Sequence, residues 1–191
     1  MEKKLTEMTL EELWKLFPIF LVAPKSRWKP DYEEMERFLK NRLSGYPVTR
    51  ISHIGSTAIN GIRAKDIVDV LIEIPLSSNM DEVARTIEES GFIKMSAKER
   101  SVSFNKGYTK KGFAERVYHI HLRYSGDNDE LYFRDYLNDH PQIAEEYEKL
   151  KLELWKRYEY DRDSYTEAKT AFVRKWTDIA KADYSGRYTV I

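Results

Sequence analysis

Cysteine is absent from this chain, which excludes disulfides and thiolate metal centres and fits a reducing compartment. Neither sign of charge is in excess: 32 Lys and Arg residues stand against 32 Asp and Glu. A balanced chain has no overall field for nucleic acid or an anionic membrane, so an anion site has to be a local cluster. No apolar stretch is long enough to span a bilayer. The first seventeen residues lack the continuous apolar core of a secretory signal. Internal repeats, low-complexity tracts and linker-like segments are missing as well. Together these absences lead us to expect a cytoplasmic protein in which residues 1–191 form one domain.

What is present is strand signal in the middle and helix signal at both ends. Residues 1–8 read as frayed. Thr9 and Glu12 have capping-box spacing ahead of an apolar stripe through Phe17, and Pro18 ends that helix. Residues 19–24 read as extended. Pro30-Asp31 opens a second helix that Gly45 stops. The segments 48–54 and 67–74 read as strands, 81–90 as a helix, and 91–97, 101–108 and 116–124 as an antiparallel meander with short polar connectors. Helices follow over 128–138, from Pro141 to about Tyr158, and from a Ser164/Glu167 capping box to about Ala182. The pattern indicates an α/β (α+β) layer architecture.

Three features carry chemistry. Gly55-Ser56-Thr57 leaves a short apolar strand, and such a turn is able to offer backbone N–H groups to a phosphate; the alternative is a plain turn. His53, just before it, is placed to orient the turn through a side-chain hydrogen bond. Asp69 stands inside Ile67–Ile74, where a carboxylate is costly unless paired, hydrogen-bonded or on a metal. Alternation puts Asp69, Leu71 and Glu73 on one face. On a later strand His119 and His121 share a face, with Arg123 continuing the row; the alternative for both histidines is half-burial in a sheet, bonded to polar neighbours.

The string HIGSTAINGIRAKDIVDVLIEI (53–74) and the stretch 131–172 resemble the GrpB family, which is similar to the nucleotidyltransferase superfamily. The resemblance covers about residues 45–176, with residues 1–30 as an N-terminal extension packed on the domain. It implies a nucleotidyltransferase-like mixed β-sheet, a phosphate-bearing small molecule or nucleotide as partner, and metal-dependent nucleotidyl or phosphoryl transfer. Asp69 takes the place of the first acid of an Asp-x-Asp pair that holds Mg²⁺, which makes it the catalytic candidate. Leu71 stands where the second acid belongs, and Glu73 lies about 7 Å further along the strand. His119 and His121 occupy the region of a third acid. If they approach Asp69, the set Asp69, His119 and His121 suits Zn²⁺, Mn²⁺ or Fe²⁺ better than Mg²⁺.

His53, Gly55, Ser56 and Thr57 with the basic residues Lys65, Arg134, Lys151 and Lys169 are the phosphate-binding candidates. The last three fall in the family-like strings FRDYL, YEKLK and YTEAK. Against each lone lysine stands a solvated helix face. Tyr147, Tyr158 and Tyr165 read as packing residues. The missing second acid leaves a rival reading, a non-catalytic binding or scaffold domain that keeps the fold.

Overall fold

The apolar run after Ile67 is a strand, as its shortness and its β-branched residues require: β2, Val68–Ile74. The computed structural model describes residues 5–189. In it β2 pairs antiparallel with β1, Arg50–Ile54, and parallel with β5, Gly112–Tyr124. β3, Ile93–Lys98, and β4, Ser101–Thr109, complete a five-stranded mixed sheet of order β1-β2-β5-β4-β3. The β3–β4–β5 part is the expected meander. Register sets Asp69 opposite His119 and Leu71 opposite His121.

The helices are α1 (Leu10–Leu16), α2 (Trp28–Arg42), α3 (Met80–Glu89), α4 (Asp129–Asp139), α5 (Pro141–Tyr158) and α6 (Arg162–Asp183). One sheet face presents Val68, Val70, Ile72 and Ile74 to Met35 and Leu39 of α2 and Val83 and Ile87 of α3; this is the main core. Each such fully buried aliphatic side chain stabilises by roughly 1.5–3 kcal/mol. The other face meets α4, where Leu71 and Ile54 pack on Leu131. The helices α4, α5 and α6 share their own aromatic cluster around Tyr136, Tyr147 and Trp176. No helix among the described residues is long and apolar enough to cross a membrane.

Several boundaries differ from the sequence expectation. Residues 1–4, part of the segment read as frayed, lie outside the described residues, whereas Leu5–Glu7 form a 3-10 turn. α2 begins at Trp28, before Pro30, because the first-turn N–H that proline lacks has no intrahelical partner anyway. That start is anchored by the Trp28 indole N–H on Asp66 at 2.8 Å. Gly45 is not the stop: α2 ends at Arg42 and Leu43 turns into the core at 1% exposure. α6 is capped by Asp161, whose carboxylate accepts from the Ser164 N–H at 3.0 Å, so that donor is taken and the Ser164/Glu167 box is not used. β5 starts at Gly112 rather than 116, since the hairpin turn is closed by the Thr109 hydroxyl on the Gly112 carbonyl. The Thr9/Glu12 capping box forms as read.

Candidate functional site

Gly55 ends β1 with φ 73°, a conformation glycine adopts without strain. A Cβ on it would lie 2.4 Å from Asp69 Oδ2, so only glycine lets the turn seat on the carboxylate. Ser56–Ala58 then form a 3-10 turn. The Thr57 hydroxyl donates to the Ile67 carbonyl at 3.1 Å and pairs with His53 Nε2 at 3.0 Å. His53 also stacks on Tyr32 with centroids 4.8 Å apart, and burial lowers its pKa to about 4. His53 Nε2 and the Thr57 hydroxyl therefore hold the turn in place and are taken up by that role.

Asp69 Oδ1 lies 3.1 Å from His119 Nδ1 and 3.4 Å from His121 Nε2. Burial works to raise its pKa, but the two histidines outweigh that and hold the carboxyl below the ordinary range. Burial pushes the His119 imidazole down, against the pull of Asp69. His119 Nε2 is bonded to the Tyr108 hydroxyl at 2.8 Å, and that oxygen accepts from Arg162 at 3.2 Å. An outer partner of this kind fixes the ring of a ligating histidine.

One ligand atom from each of Asp69, His119 and His121 falls within 4.8 Å of the others. This donor set fits a divalent transition ion. It does not fit the two-acid magnesium site that the superfamily resemblance implies. Leu71, at the second acid's place, is fully enclosed against Ile54 and Leu131. Glu73 is fully buried too, and its carboxylate is taken by Arg50 at 3.1 Å, the Gly126 N–H at 3.1 Å and Asn128 at 2.9 Å.

Beside Asp69 and the glycine turn is a cavity of about 260 Å³ walled by Ser56, Lys65, His119, Arg134, Tyr147, Lys151, Arg162, Tyr165 and Lys169. Lys65, Arg134, Lys151 and Lys169, far apart in sequence, do converge there. Among the described residues, Lys65, Lys151, Lys169 and Arg162 have no carboxylate at ion-pair distance. Lys151 donates to the Arg63 carbonyl and lies over the Tyr147 ring at 4.9 Å. Lys65 and Lys169 face the Tyr165 ring at 5.7 and 4.3 Å. Desolvation, reinforced by neighbouring cations, lowers Lys65 to about 7, Lys151 to about 7 and Lys169 to about 8.

Arg134 is placed differently. It is bonded to the His53 carbonyl at 2.8 Å, to Asp135 at 2.6 Å and to the Tyr188 hydroxyl at 3.0 Å. Two residues of the site went unread in the sequence. Arg162 and Tyr108 carry no local signal. Tyr147 and Tyr165 are core residues, as expected, yet their rings also carry the lysines.

The GrpB protein family model matches residues 18–178. The glutamate-rich protein GrpB of Alkalihalophilus pseudofirmus is 32% identical over 162 residues, covering 81% of this chain and 91% of that protein. The UPF0157 protein YqkA of Bacillus subtilis is 28% identical over 190 residues, but the chain spans only 54% of its length. Among solved structures, conserved protein GrpB from Enterococcus faecalis superposes with a TM-score of 0.73 at 25% identity, covering 86% of this chain and 99% of that one. Cid1 in complex with its short product ApU superposes with a TM-score of 0.50 at 12% identity, over 78% of this chain and 45% of that one, a likeness of fold alone.

Proposed function

The chain belongs to the GrpB family and has its nucleotidyltransferase-like fold, and from that premise we propose that it binds a nucleotide or a similar polyphosphate-bearing small molecule between the glycine turn and α5–α6. The observation that carries this is the group of cations in one cavity, of which Lys65, Lys151, Lys169 and Arg162 have no carboxylate at ion-pair distance among the described residues. Lysines pushed down to about 7 and 8 are costly to hold in an empty site, and a polyanion offsets that cost.

Metal-dependent nucleotidyl or phosphoryl transfer is the activity the site is equipped for. Asp69, His119 and His121 would hold a divalent transition ion, which when bound supplies positive charge to a phosphoryl oxygen. The Ser56–Ala58 turn sets its backbone along the ligand. Lys65, Lys169 and Arg162 bear on the non-bridging oxygens and offset charge as it develops. Tyr108 keeps His119 oriented, and Gly55 keeps the turn against Asp69.

The enclosed Leu71 favours a second reading, a binding module without turnover. Calorimetry with inorganic triphosphate and ATP tests binding: wild type binds both, and Lys65→Ala with Lys169→Ala loses both. Elemental analysis tests the ion: wild type retains zinc or manganese, Asp69→Asn does not, and retention falls in acid as the imidazoles protonate. Equal metal in both proteins would overturn the metal assignment. Pyrophosphate or phosphate release from ATP separates the enzyme from the binding module.

A further inference from the structure

A second cavity, of about 410 Å³, adjoins the cation cavity, and Lys65 and Ile67 line both. The wall between them is the extended segment 18–22. Its residues alternate: Leu21 lines the cation cavity, while Pro18 and Phe20 line the second one. The segment is pinned at both ends. The Ile19 N–H donates to the Glu159 carbonyl at 2.8 Å, and Val22 exchanges backbone bonds with Ala64 at 2.9 and 3.1 Å. Phe20 is 37% exposed on this fixed backbone, whereas its neighbours Ile19 and Leu21 are buried at 3% and 4%. Its ring faces Phe113 edge-on at 6.1 Å, and Phe113 is backed by Phe17 at 5.0 Å.

The charges in this second cavity are different from those in the first. Lys25 is paired with Asp66, and Arg27 with both Asp66 and Asp31, at 2.6 Å each. What remains free is apolar ring surface and the exposed Glu115 at the rim. An exposed phenylalanine on a rigid backbone, next to a polyanion site, suits a flat aromatic group that stacks on it.

We propose that the second cavity takes the base of a nucleotide whose phosphates lie in the cation cavity, with Phe20 as the stacking residue and Lys65 at the junction. This rests on the polyphosphate-binding reading and adds where the rest of the molecule goes. A third cavity, of about 560 Å³, also adjoins the cation cavity, through Phe133 and Lys169, but Phe133 is buried at 7% exposure and offers a base no open ring, which makes it a poorer place for one.

The test compares inorganic triphosphate with the four ribonucleoside triphosphates by calorimetry. In wild type at least one nucleoside triphosphate binds more tightly than triphosphate alone. Phe20→Ala removes that advantage, weakening the nucleotide roughly tenfold or more, the scale of one base–aromatic stack, and leaves triphosphate unchanged. Phe20→Trp retains the advantage. Thr170→Trp, which obstructs the third cavity, leaves it in place. The proposal is overturned if no nucleoside triphosphate outbinds triphosphate, if Phe20→Ala affects both ligands alike or neither, or if Thr170→Trp removes the advantage instead. Failure of wild type to bind even triphosphate strikes at the polyphosphate reading itself, which the Phe20 variants do not touch.

Discussion

Strand β2 carries two carboxylates on one face, Asp69 near its start and Glu73 near its end, and the surroundings of the two differ in kind. Glu73 has no exposed side-chain surface and spends its oxygens on Arg50, Asn128 and the Gly126 N–H. Asp69 retains 24% side-chain exposure, faces two imidazoles, and borders a cavity whose lysines have no carboxylate at ion-pair distance among the described residues. A carboxylate with every lone pair answered by protein is a structural device. One left open beside unneutralised charge is a site. The same holds for the cations: Lys25 is paired with Asp66 and Arg27 with Asp66 and Asp31, while Lys65, close by, has no carboxylate at ion-pair distance among the described residues.

The contrast breaks most visibly at the buried end. Glu73→Ala should destabilise the protein by about 3–5 kcal/mol in chemical denaturation, because Arg50 and Asn128 lose a buried partner. Asp69→Asn, on the same strand face, should cost about 1 kcal/mol or less while eliminating metal uptake. If the two substitutions cost the same, the distinction between the two ends is wrong.

Gly55→Ala comes next. It should cost about 1–3 kcal/mol for its backbone conformation, and its Cβ, 2.4 Å from Asp69 Oδ2, would displace the carboxylate. Metal retention should fall with it. Gly61→Ala shares a positive φ but has open space around its Cβ, so it should lower stability and leave metal retention as it was.

A smaller effect sharpens the picture of the cavity. Lys65 and Lys151 near 7 and Lys169 near 8 lose their protons as pH rises through that range. A polyanion favours their charged forms. Triphosphate affinity should therefore be highest below about pH 7 and fall by roughly tenfold per pH unit above it for each lysine that must be protonated. Binding near pH 8 should take up protons, seen as a dependence of the calorimetric heat on buffer ionisation. The empty protein should behave oppositely. Unfolded lysines titrate near 10.5, so the unfolded chain binds more protons between about pH 7 and 10.5, and these groups make stability rise with pH across that window. The smallest effect is expected for an exposed, paired lysine: Lys181→Ala removes an ion pair to Asp129 at 2.7 Å and should change stability by about 0.5 kcal/mol or less, with no effect on triphosphate binding.

Much of the architecture was legible in the residues themselves. β2 followed from a short β-branched run, the meander from short polar connectors, and α1 from its capping box, because each is a local pattern of period and turn chemistry. Boundaries slipped where a tertiary partner intervened, as when Asp66 drew Trp28 into α2 or Leu43 turned into the core ahead of Gly45. Asp69 stood out because a carboxylate in an apolar run needs a reason, and strand alternation was enough to turn His119 and His121 to one side. That the histidines reach Asp69 was decided by the parallel register of β2 and β5, which joins residues some fifty positions apart. Tertiary structure also separated residues the sequence left alike. It gave His53 Nε2 and the Thr57 hydroxyl to the turn, tied Arg134 to the His53 carbonyl and Tyr188, and left Lys65, Lys151, Lys169 and Arg162 with no carboxylate at ion-pair distance among the described residues. A lysine's sequence neighbours do not reveal whether a carboxylate from another element will meet it. That depends on how α5 and α6 lie across the sheet, and so the charge of the cavity is a property of the fold.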